Sequence, residues 1–266
     1  MNYENGIDLN FDGHCDLCGK FVDSYGHHKA CAVFDKYIEK FDISHFEIDF
    51  NFNKLDNYEI TNRYFISNPY RNRNGYYGSR YWSDVENYTS PEIYDPYSGI
   101  SINKFLRDSI TPENKTIREM YEKVIHIDTA IDDFVLKSRL VTYRGFSIDK
   151  DSSLCKTFDE AYEDLNNGDT LYFQDKGFVS TTTSINYARH RSELGNGNAK
   201  IKMAIILEPG QKCMPLVKKF HTTYDDKERE FLLQSNQFYE IISVERYQIS
   251  STYCYNVVVI LRGGIN

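Results

Sequence analysis

The sequence lacks several features that would assign it to a membrane, secretory or nucleic-acid-binding class. It contains no run of eighteen apolar residues, so no transmembrane helix is predicted. Its first residues, MNYENGIDLNFDG, contain no basic segment followed by an apolar stretch, and we therefore expect no classical secretory signal. Lysine and arginine number only 31 against 39 aspartate and glutamate residues, and the net charge of −8 disfavours binding to nucleic-acid phosphates. We expect neither a nucleic-acid partner nor a membrane span.

Cysteine is also scarce, and six residues in a chain of 266 exclude a disulfide-rich scaffold. Three of the six, Cys15, Cys18 and Cys31, nevertheless fall in one short segment. Together with His27 they offer the four nitrogen and sulfur ligands that a tetrahedral structural zinc site needs. The predicted ligand set is Cys15, Cys18, His27 and Cys31. Three reduced thiols beside surface histidines are the alternative that stays open.

The rest of the chain divides at about residue 99. Length and an apolar content of 41% suit one or two folded domains. Residues 1–99 combine the Cys/His segment, a predicted helix over 30–41 and an aromatic-rich stretch over 58–99. That stretch has no clear periodicity, which predicts irregular or short-strand structure. We predict a small N-terminal module over 1–99, for targeting or substrate recognition, and a larger domain over 100–266.

Within the larger domain, predicted helices come first and predicted strands follow. Apolar stripes at helical spacing cover 102–108 and run from Pro112 to about residue 138, which predicts two or three helices. Strands are predicted over 140–146, 170–174, 177–181, 200–207, 213–217, 230–234, 239–246 and 253–261, with helices over 157–165 and 185–191. This order favours an α+β fold over a wound parallel sheet.

Three short motifs in the strand-rich half stand out by their order. Arg144 lies in a Tyr-Arg-Gly sequence at the end of a predicted strand, and Ser180 opens a Ser-Thr-Thr sequence that runs into a helix. Glu228 and Glu230 are two residues apart, so that side-chain alternation in a strand places both carboxylates on one face. Each motif alone is explained by a solvated arginine, a helix N-cap or an exposed strand face. Their succession in one segment is much rarer.

This succession resembles the Arg-Ser-Glu class of mono-ADP-ribosyltransferases, which includes clostridial binary toxins, related exoenzymes and bacterial effectors. The resemblance covers about residues 100–266 and includes two further segments. INKFLR over 102–107 is similar to the family's Ile-Asn-x-x-Leu-Arg helix, and IDTAI over 127–131 is similar to its Leu-Asp-x-Ala-Ile helix. Residues 1–99 show no such resemblance.

The resemblance implies two roughly perpendicular antiparallel β-sheets flanked by N-terminal helices, with a cleft that binds NAD as co-substrate. Arg144 would bind the pyrophosphate, and Ser180 would organise the nicotinamide pocket. Glu230 would contact the ribose and stabilise an oxocarbenium-like transition state. The implied NAD-binding residues are Tyr143, Arg144, Gly145, Ser180, Thr181, Thr182, Tyr187 and Glu230. For Tyr187, stacking on nicotinamide and packing of its helix on the sheet remain equally open.

In the resembling family, a glutamate at the position of Glu228 marks enzymes that modify arginine. A carboxylate can orient the guanidinium, which stays protonated at neutral pH, and can accept a proton as the guanidinium attacks. Glu228 is therefore implied to be catalytic as well as substrate-recognising. The preceding loop would present Phe220 and Tyr224 to the protein substrate, although Asp225 stands where the family often has an aromatic residue.

The function that the resemblance implies is transfer of ADP-ribose from NAD to a protein side chain, with arginine as the expected acceptor. The alternatives are an NAD glycohydrolase, a transferase with another acceptor, and an inactive scaffold that binds a partner. The implied setting is a toxin or effector acting in host cytoplasm, or an enzyme acting inside a bacterial or phage-infected cell. We expect a monomer whose partner is a protein substrate.

Overall fold

The computed structural model describes residues 63–66, 80–90, 95–165, 169–216 and 229–263. These ranges contain five named helices and eight strands. The helices are α1 (Arg80–Tyr88), α2 (Gly99–Asp108), α3 (Ile117–Asp132), α4 (Ser153–Asp164) and α5 (Ile185–Leu194). The strands are β1 (Leu140–Ile148), β2 (Leu171–Asp175), β3 (Val179–Thr182), β4 (Ala199–Leu207), β5 (Cys213–Pro215), β6 (Glu230–Leu233), β7 (Gln237–Ile249) and β8 (Thr252–Gly263). The predicted helix over 30–41 lies outside the described residues.

Helix α3 begins at Ile117, directly after its N-cap Thr116 and five positions after Pro112, from which its start was predicted. The side chain of Thr116 accepts a hydrogen bond from the backbone N–H of Glu119, and the Glu119 carboxylate accepts one from the backbone N–H of Thr116. This reciprocal capping box satisfies two N–H groups that lack intrahelical partners. The helix predicted from Pro112 therefore starts at Ile117 instead.

Helix α1 corrects the prediction of irregular or short-strand structure for the aromatic-rich stretch. Trp82, Val85 and Tyr88 are spaced by three residues, and all three are buried. This spacing gives one apolar helix face, which the many neighbouring aromatic residues obscure in the sequence. Helix α1 packs against α2 and α3, so it belongs to the packed core although it precedes the boundary predicted at 99.

The eight strands form one hydrogen-bonded sheet in the order β2-β7-β8-β4-β1-β3-β6-β5. Strand β1 pairs with β4 along its whole length, from Leu140 opposite Leu207 to Ile148 opposite Ala199. Strands β4 and β8 run parallel, whereas the other pairs in the sheet are antiparallel. The sheet is therefore mixed.

The prediction of an α+β fold is confirmed, and the prediction of two antiparallel sheets is wrong in two respects. The sheet includes one parallel pair, and its two parts are continuous. The join between those parts is narrow, because β1 and β3 share the single residue pair Tyr143–Thr182. The strands of both parts could be predicted from the sequence. The junction between the parts could not, because a single residue pair produces no recognisable sequence pattern.

Both faces of the sheet contribute to buried clusters. The larger cluster lies between the sheet and the helices and includes Val85, Ile102 and Ile127. A smaller cluster on the opposite face joins Val141 of β1 to Ile206 of β4 and further apolar residues of β8. Within the described residues, no helix is long and apolar enough to cross a membrane.

Candidate active site

The candidate site lies where β1 and β3 separate. Beyond the Tyr143–Thr182 pair, β1 continues to Ile148 with no further pairing to β3. The two strands therefore diverge and leave a cavity of about 640 Å³, which is within the range of about 300–1,000 Å³ typical of ligand sites. The cavity is lined by all the predicted NAD-binding residues: Tyr143, Arg144, Gly145, Ser180, Thr181, Thr182, Tyr187 and Glu230.

Strand register places three of these side chains in one row. Tyr143 lies opposite Thr182, and Thr182 lies opposite Glu230 on β6. Directly opposed residues of antiparallel strands project from the same face, and Ser180 shares that face because it is two positions from Thr182. The motifs around residues 144, 180 and 230, distant in the sequence, are thus brought to one cavity.

The two threonines after Ser180 fasten its strand to the neighbouring elements. Thr181 Oγ1 donates a hydrogen bond of 3.1 Å to the Phe231 carbonyl on β6. Thr182 Oγ1 accepts one of 2.9 Å from the backbone N–H of Ser184, which is the N-cap of α5. These two bonds fix the position of β3 relative to β6 and α5.

An ion pair and an aromatic ring hold Arg144 in the lining of the cavity. Its side chain retains 24% exposure, and its Nη1 lies 3.7 Å from Asp175 Oδ2. The guanidinium stands 5.2 Å from the centroid of the Phe146 ring. This arrangement keeps N–H donors of Arg144 at the cavity, where a phosphate could accept bidentate hydrogen bonds.

Helix α2 is hydrogen-bonded to the turn between β2 and β3. No residue of this helix was predicted to belong to the site. Arg107 binds Asp175 through two hydrogen bonds, Nε to Oδ1 at 2.8 Å and Nη2 to Oδ2 at 2.9 Å. Asn103 Oδ1 accepts a hydrogen bond of 2.8 Å from the Phe178 N–H. Both α2 residues line the cavity. The signal for them was the INKFLR segment, whose polar residues lie four positions apart and therefore share one helix face.

Glu230 is one of the acidic side chains that line the cavity, with 9% exposure. Tyr88 of α1 also lines the cavity, and its hydroxyl accepts a hydrogen bond of 3.1 Å from Asn103 Nδ2. Burial, with a smaller contribution from the Glu230 carboxylate, raises the pKa of Tyr88 to about 12. Tyr88 therefore stays protonated at neutral pH. Sequence reasoning missed it because its helix went unpredicted.

The backbone beside Glu230 is strained. Arg229 has a φ of 41°, a left-handed conformation that residues other than glycine adopt at a cost of about 1–3 kcal/mol. The Arg229 carbonyl accepts a hydrogen bond of 3.3 Å from the Thr183 N–H, and the Glu230 carbonyl accepts one of 2.9 Å from Leu216 N–H. Bonds on both sides thus fix the strand position from which Glu230 projects.

Helix α5 closes one side of the cavity by lying directly on β1. A Cβ atom on Gly145 would overlap the Ala188 carbonyl oxygen, so only glycine permits this approach. Tyr187 and Arg191 line the cavity, and Arg191 Nε donates a hydrogen bond of 3.0 Å to Tyr187 Oη. Arg189 of the same helix is 2% exposed and pairs with Glu193 at 3.5 Å.

The charges around the cavity favour a ligand that is anionic in part. Four cationic and two anionic side chains line it: Lys104, Arg107, Arg144, Arg191, Asp108 and Glu230. The excess of guanidinium and ammonium groups suits a pyrophosphate. Glu230 could stabilise a positive charge that develops on the ligand.

Several predicted residues lie outside the described ranges, and their predictions stay untested. These are Glu228, Phe220 and Tyr224 near the site, and the proposed zinc ligands Cys15, Cys18, His27 and Cys31. Among the described residues, no group of three or more histidine, cysteine, aspartate or glutamate side chains is placed to hold a metal ion. Cys155, Cys213 and Cys254 are free thiols, and all three are buried.

Comparison with known proteins identifies one matching family and several similar solved structures. The sequence model of the ADP-ribosyltransferase exoenzyme family matches residues 83–259. No curated protein matches the sequence.

Three solved structures are similar to this chain. Plx2a, an ADP-ribosyltransferase toxin from Paenibacillus larvae, is 17% identical, covers 68% of this chain and 85% of its own, and has a TM-score of 0.47. C3stau2 from S. aureus, solved with NAD, is 22% identical, with coverage of 69% and 87% and a TM-score of 0.46. The ADP-ribosylating toxin BECa of a C. perfringens binary enterotoxin, solved with NADH, is 20% identical, with coverage of 69% and 43% and a TM-score of 0.48.

Proposed function

The chain belongs to the ADP-ribosyltransferase exoenzyme family, and from this membership we propose that it transfers ADP-ribose from NAD to an arginine side chain of a protein. NAD-dependent ADP-ribose transfer follows from the family. The protein acceptor, the arginine and the residue roles are the proposed part. The observation that supports the residue roles is that Arg144 and Glu230 line a single cavity, with Ser180 between them on β3.

In the proposed reaction, Arg144 binds the pyrophosphate and Glu230 faces the nicotinamide ribose. The bond between ribose C1′ and the nicotinamide nitrogen breaks, and nicotinamide leaves with the electron pair. The ribose then carries positive charge, which the largely buried Glu230 carboxylate stabilises. A nitrogen of the acceptor guanidinium forms the new bond to C1′ and loses a proton.

The arginine acceptor is proposed on the basis of Glu228. In the sequence, this residue stands two positions before Glu230, the first residue of β6. A carboxylate there would hold a cationic guanidinium and take up the proton that the attack releases. A neutral side chain at 228 would not attract a guanidinium in the same way.

Incubation of the protein with labelled NAD and a eukaryotic cell lysate tests the proposal. We expect wild-type protein to label a discrete protein band and to release nicotinamide. Glu230→Gln should lower both activities by roughly 100-fold or more, because the transition-state charge loses its carboxylate. Glu240→Gln is the matched control, since Glu240 lies on β7 and pairs with Arg262 at 2.5 Å, away from the cavity.

A second variant distinguishes recognition of the acceptor from cleavage of NAD. Glu228→Gln should retain nicotinamide release yet lose labelling of the protein band, and the label from wild type should be sensitive to hydroxylamine. Nicotinamide release without a labelled band in wild type would identify a glycohydrolase. Equal activity of Glu230→Gln and wild type would contradict the assigned role of Glu230.

A further inference from the structure

Exposed apolar side chains are concentrated in one part of the described structure, namely helices α2 and α3 and the loop that joins them. Nine large apolar residues among the described ones are exposed, and five of these nine fall within residues 100–125. The five are Ile100, Ile110, Ile117, Tyr121 and Ile125. Single exposed apolar residues are common on protein surfaces, whereas a group of them is typical of a surface that contacts another protein.

Three of the five residues form a stripe along α3. Ile117, Tyr121 and Ile125 are spaced by four residues, which places them side by side on the helix, and they are 61%, 53% and 60% exposed. Another face of α3 packs into the core through Val124 and Ile127. The solvent-facing side of such a helix is usually polar. Packing among the described residues therefore does not explain this α3 stripe.

Helix α2 lies between the α3 stripe and the candidate active site. Asn103 lines the cavity, whereas the ring of Phe105 makes an edge-to-face contact with the ring of Tyr121, at 5.0 Å between the centroids. Successive side chains on a helix are about 100° apart, so residues 103 and 105 project to nearly opposite sides of α2. Ile100 and Lys104 are exposed and also line the cavity. They therefore form an outward face of α2 that connects the cavity to the stripe.

The stripe is close enough to the cavity for one partner to cover both. The width of α2 with its side chains is about 10 Å, and this width separates the cavity from α3. A standard protein–protein interface buries about 800 Å² on each partner, and a circular patch of that area is about 30 Å across. A protein that inserts a side chain into the cavity would thus cover α2 and extend over the α3 stripe.

The charges beside the stripe define the chemistry of such a partner. Lys104 is exposed, and it forms no ion pair with any residue that the structure describes. Arg118 lies next to the stripe, has a side chain that is 89% exposed, and pairs with Glu122 at 3.3 Å. An ion pair this exposed is weak, so that Arg118 can also pair with a carboxylate of a partner. The complementary surface is an apolar patch flanked by carboxylates.

We propose that the α3 stripe and the outward face of α2 form the docking surface for the protein that accepts ADP-ribose. This inference rests on the proposed function, in which the acceptor is a protein. The acceptor places its modified side chain in the cavity and an apolar patch flanked by carboxylates against α2 and α3. None of the three stripe residues lines the cavity, so they determine which protein is modified without contacting NAD.

Replacing the three stripe residues together with glutamine tests the docking surface, because glutamine is polar and a good helix former. Full-length wild type and the combined variant Ile117→Gln, Tyr121→Gln and Ile125→Gln are compared in three reactions with labelled NAD. These reactions are labelling of the protein band in a cell lysate, labelling of agmatine, which is a small soluble guanidine, and release of nicotinamide without an acceptor. We expect labelling of the band to slow by roughly tenfold or more, as for the loss of an interface hot spot. The other two rates should be unchanged, because agmatine and water need no docking surface.

Two single variants provide a matched comparison. Tyr121→Gln and Tyr172→Gln each remove a tyrosine that is about half exposed, and Tyr172 lies on the edge strand β2. Only Tyr121→Gln should slow labelling of the band, by roughly fivefold or more. The thermal unfolding midpoint of the combined variant should stay near that of wild type, because the side chains that it removes are exposed.

The outcomes that would overturn the inference differ from one another. Labelling of the band by the combined variant at the wild-type rate would show that the stripe does not dock the acceptor. A parallel loss of band labelling, agmatine labelling and nicotinamide release would show an effect on the NAD site or the fold. A wild-type dimer that becomes a monomer in the variant, with labelling of the band unchanged, would identify a second copy of this chain as the occupant. If wild type labels no protein band, the proposed function itself fails, and this result is seen without any variant.

Discussion

At the scale of single residues, Gly145 determines how closely helix α5 can approach the sheet. The space that a Cβ atom would need is occupied by the backbone of Ala188 and lies 2.9 Å from the Ser192 nitrogen. Helix α5 also carries Tyr187 and Arg191, which line the cavity. The absence of a side chain at 145 therefore sets one wall of the candidate active site.

We expect Gly145→Ala to displace α5 and impair nucleotide binding. Overpacking of this kind lowers the free energy of unfolding by about 1–3 kcal/mol, which urea denaturation would measure. NADH binding should weaken in parallel, because two cavity residues move with the helix. Gly210→Ala is the control, since Gly210 has a φ of 90° but no atom near its Cβ position. It should lose stability without losing NADH affinity, and intact binding by Gly145→Ala would contradict the prediction.

The residues of the site that the sequence predicted are those whose chemistry and order form a pattern. Arg144, Ser180 and Glu230 lie in short motifs, and strand alternation already places the latter two on definite faces. Asn103 and Arg107 lie in a segment that the sequence marks, but their partners lie 68 to 75 residues further along the chain. Contacts over that separation depend on where α2 lies relative to the turn between β2 and β3, which local sequence does not encode.

At the scale of secondary-structure elements, Asp128 links helix α3 to the turn between β6 and β7. Its carboxylate accepts hydrogen bonds from the Ser235 N–H, at 3.0 Å, and from Ser235 Oγ, at 2.7 Å. This turn follows the strand that begins with Glu230. The IDTAI segment, noted in the sequence only for its family resemblance, thus has a definite structural role.

Asp128 also makes stability depend on pH. Burial raises the pKa of Asp128 above its unfolded value of about 3.9, despite the hydrogen bonds from Ser235 that lower it. A raised folded pKa means that the stabilising contribution is complete below about pH 4 and is lost as the pH rises through the folded value. We expect Asp128→Asn to gain stability relative to wild type between about pH 4 and pH 7, because the amide keeps both contacts without the charge.

Urea denaturation of both proteins at the two pH values checks this sign. Asp132→Asn is the matched control, one turn further along α3, and its 45% exposure predicts a much smaller pH-dependent difference. Asp128→Ala should lose about 1–3 kcal/mol at both pH values, since neither Ser235 contact survives. A constant difference between Asp128→Asn and wild type across the pH range would show that desolvation of the carboxylate is not significant.

Element positions were predicted well wherever one period dominated. The strand over 199–207 and the helix over 185–194 agree with their predicted positions to within a few residues at each end. Helix α1 was missed because its three buried residues lie among other aromatic side chains, so that no single period stood out. Helix α3 started later than predicted because capping by Thr116 outweighed the preference of proline for a first turn.

At the scale of the whole molecule, a short segment far upstream belongs to the folded core. Phe65 is 2% exposed, forms an edge-to-face contact with Phe134 at 6.2 Å, and bridges to Leu136 after α3. The Tyr64 carbonyl accepts a hydrogen bond of 2.8 Å from Lys137 N–H, and the Ile66 N–H donates one of 2.8 Å to Val135. The sequence assigned this segment to a separate N-terminal module, because contacts across seventy residues leave no periodic signal.

If residues 63–66 are part of the catalytic unit, Phe65→Ala should destabilise the whole protein by about 3–5 kcal/mol, the usual cost of removing a buried phenyl ring. Ile66→Ala is the natural control, because Ile66 is the next residue and is 67% exposed, so its change should stay within about 0.5 kcal/mol. Urea denaturation followed by NADH binding in the folded baseline measures both effects. A single transition that shifts as a whole would show that the segment and the sheet unfold together. Loss of only a minor early transition in Phe65→Ala would instead support an independent N-terminal module.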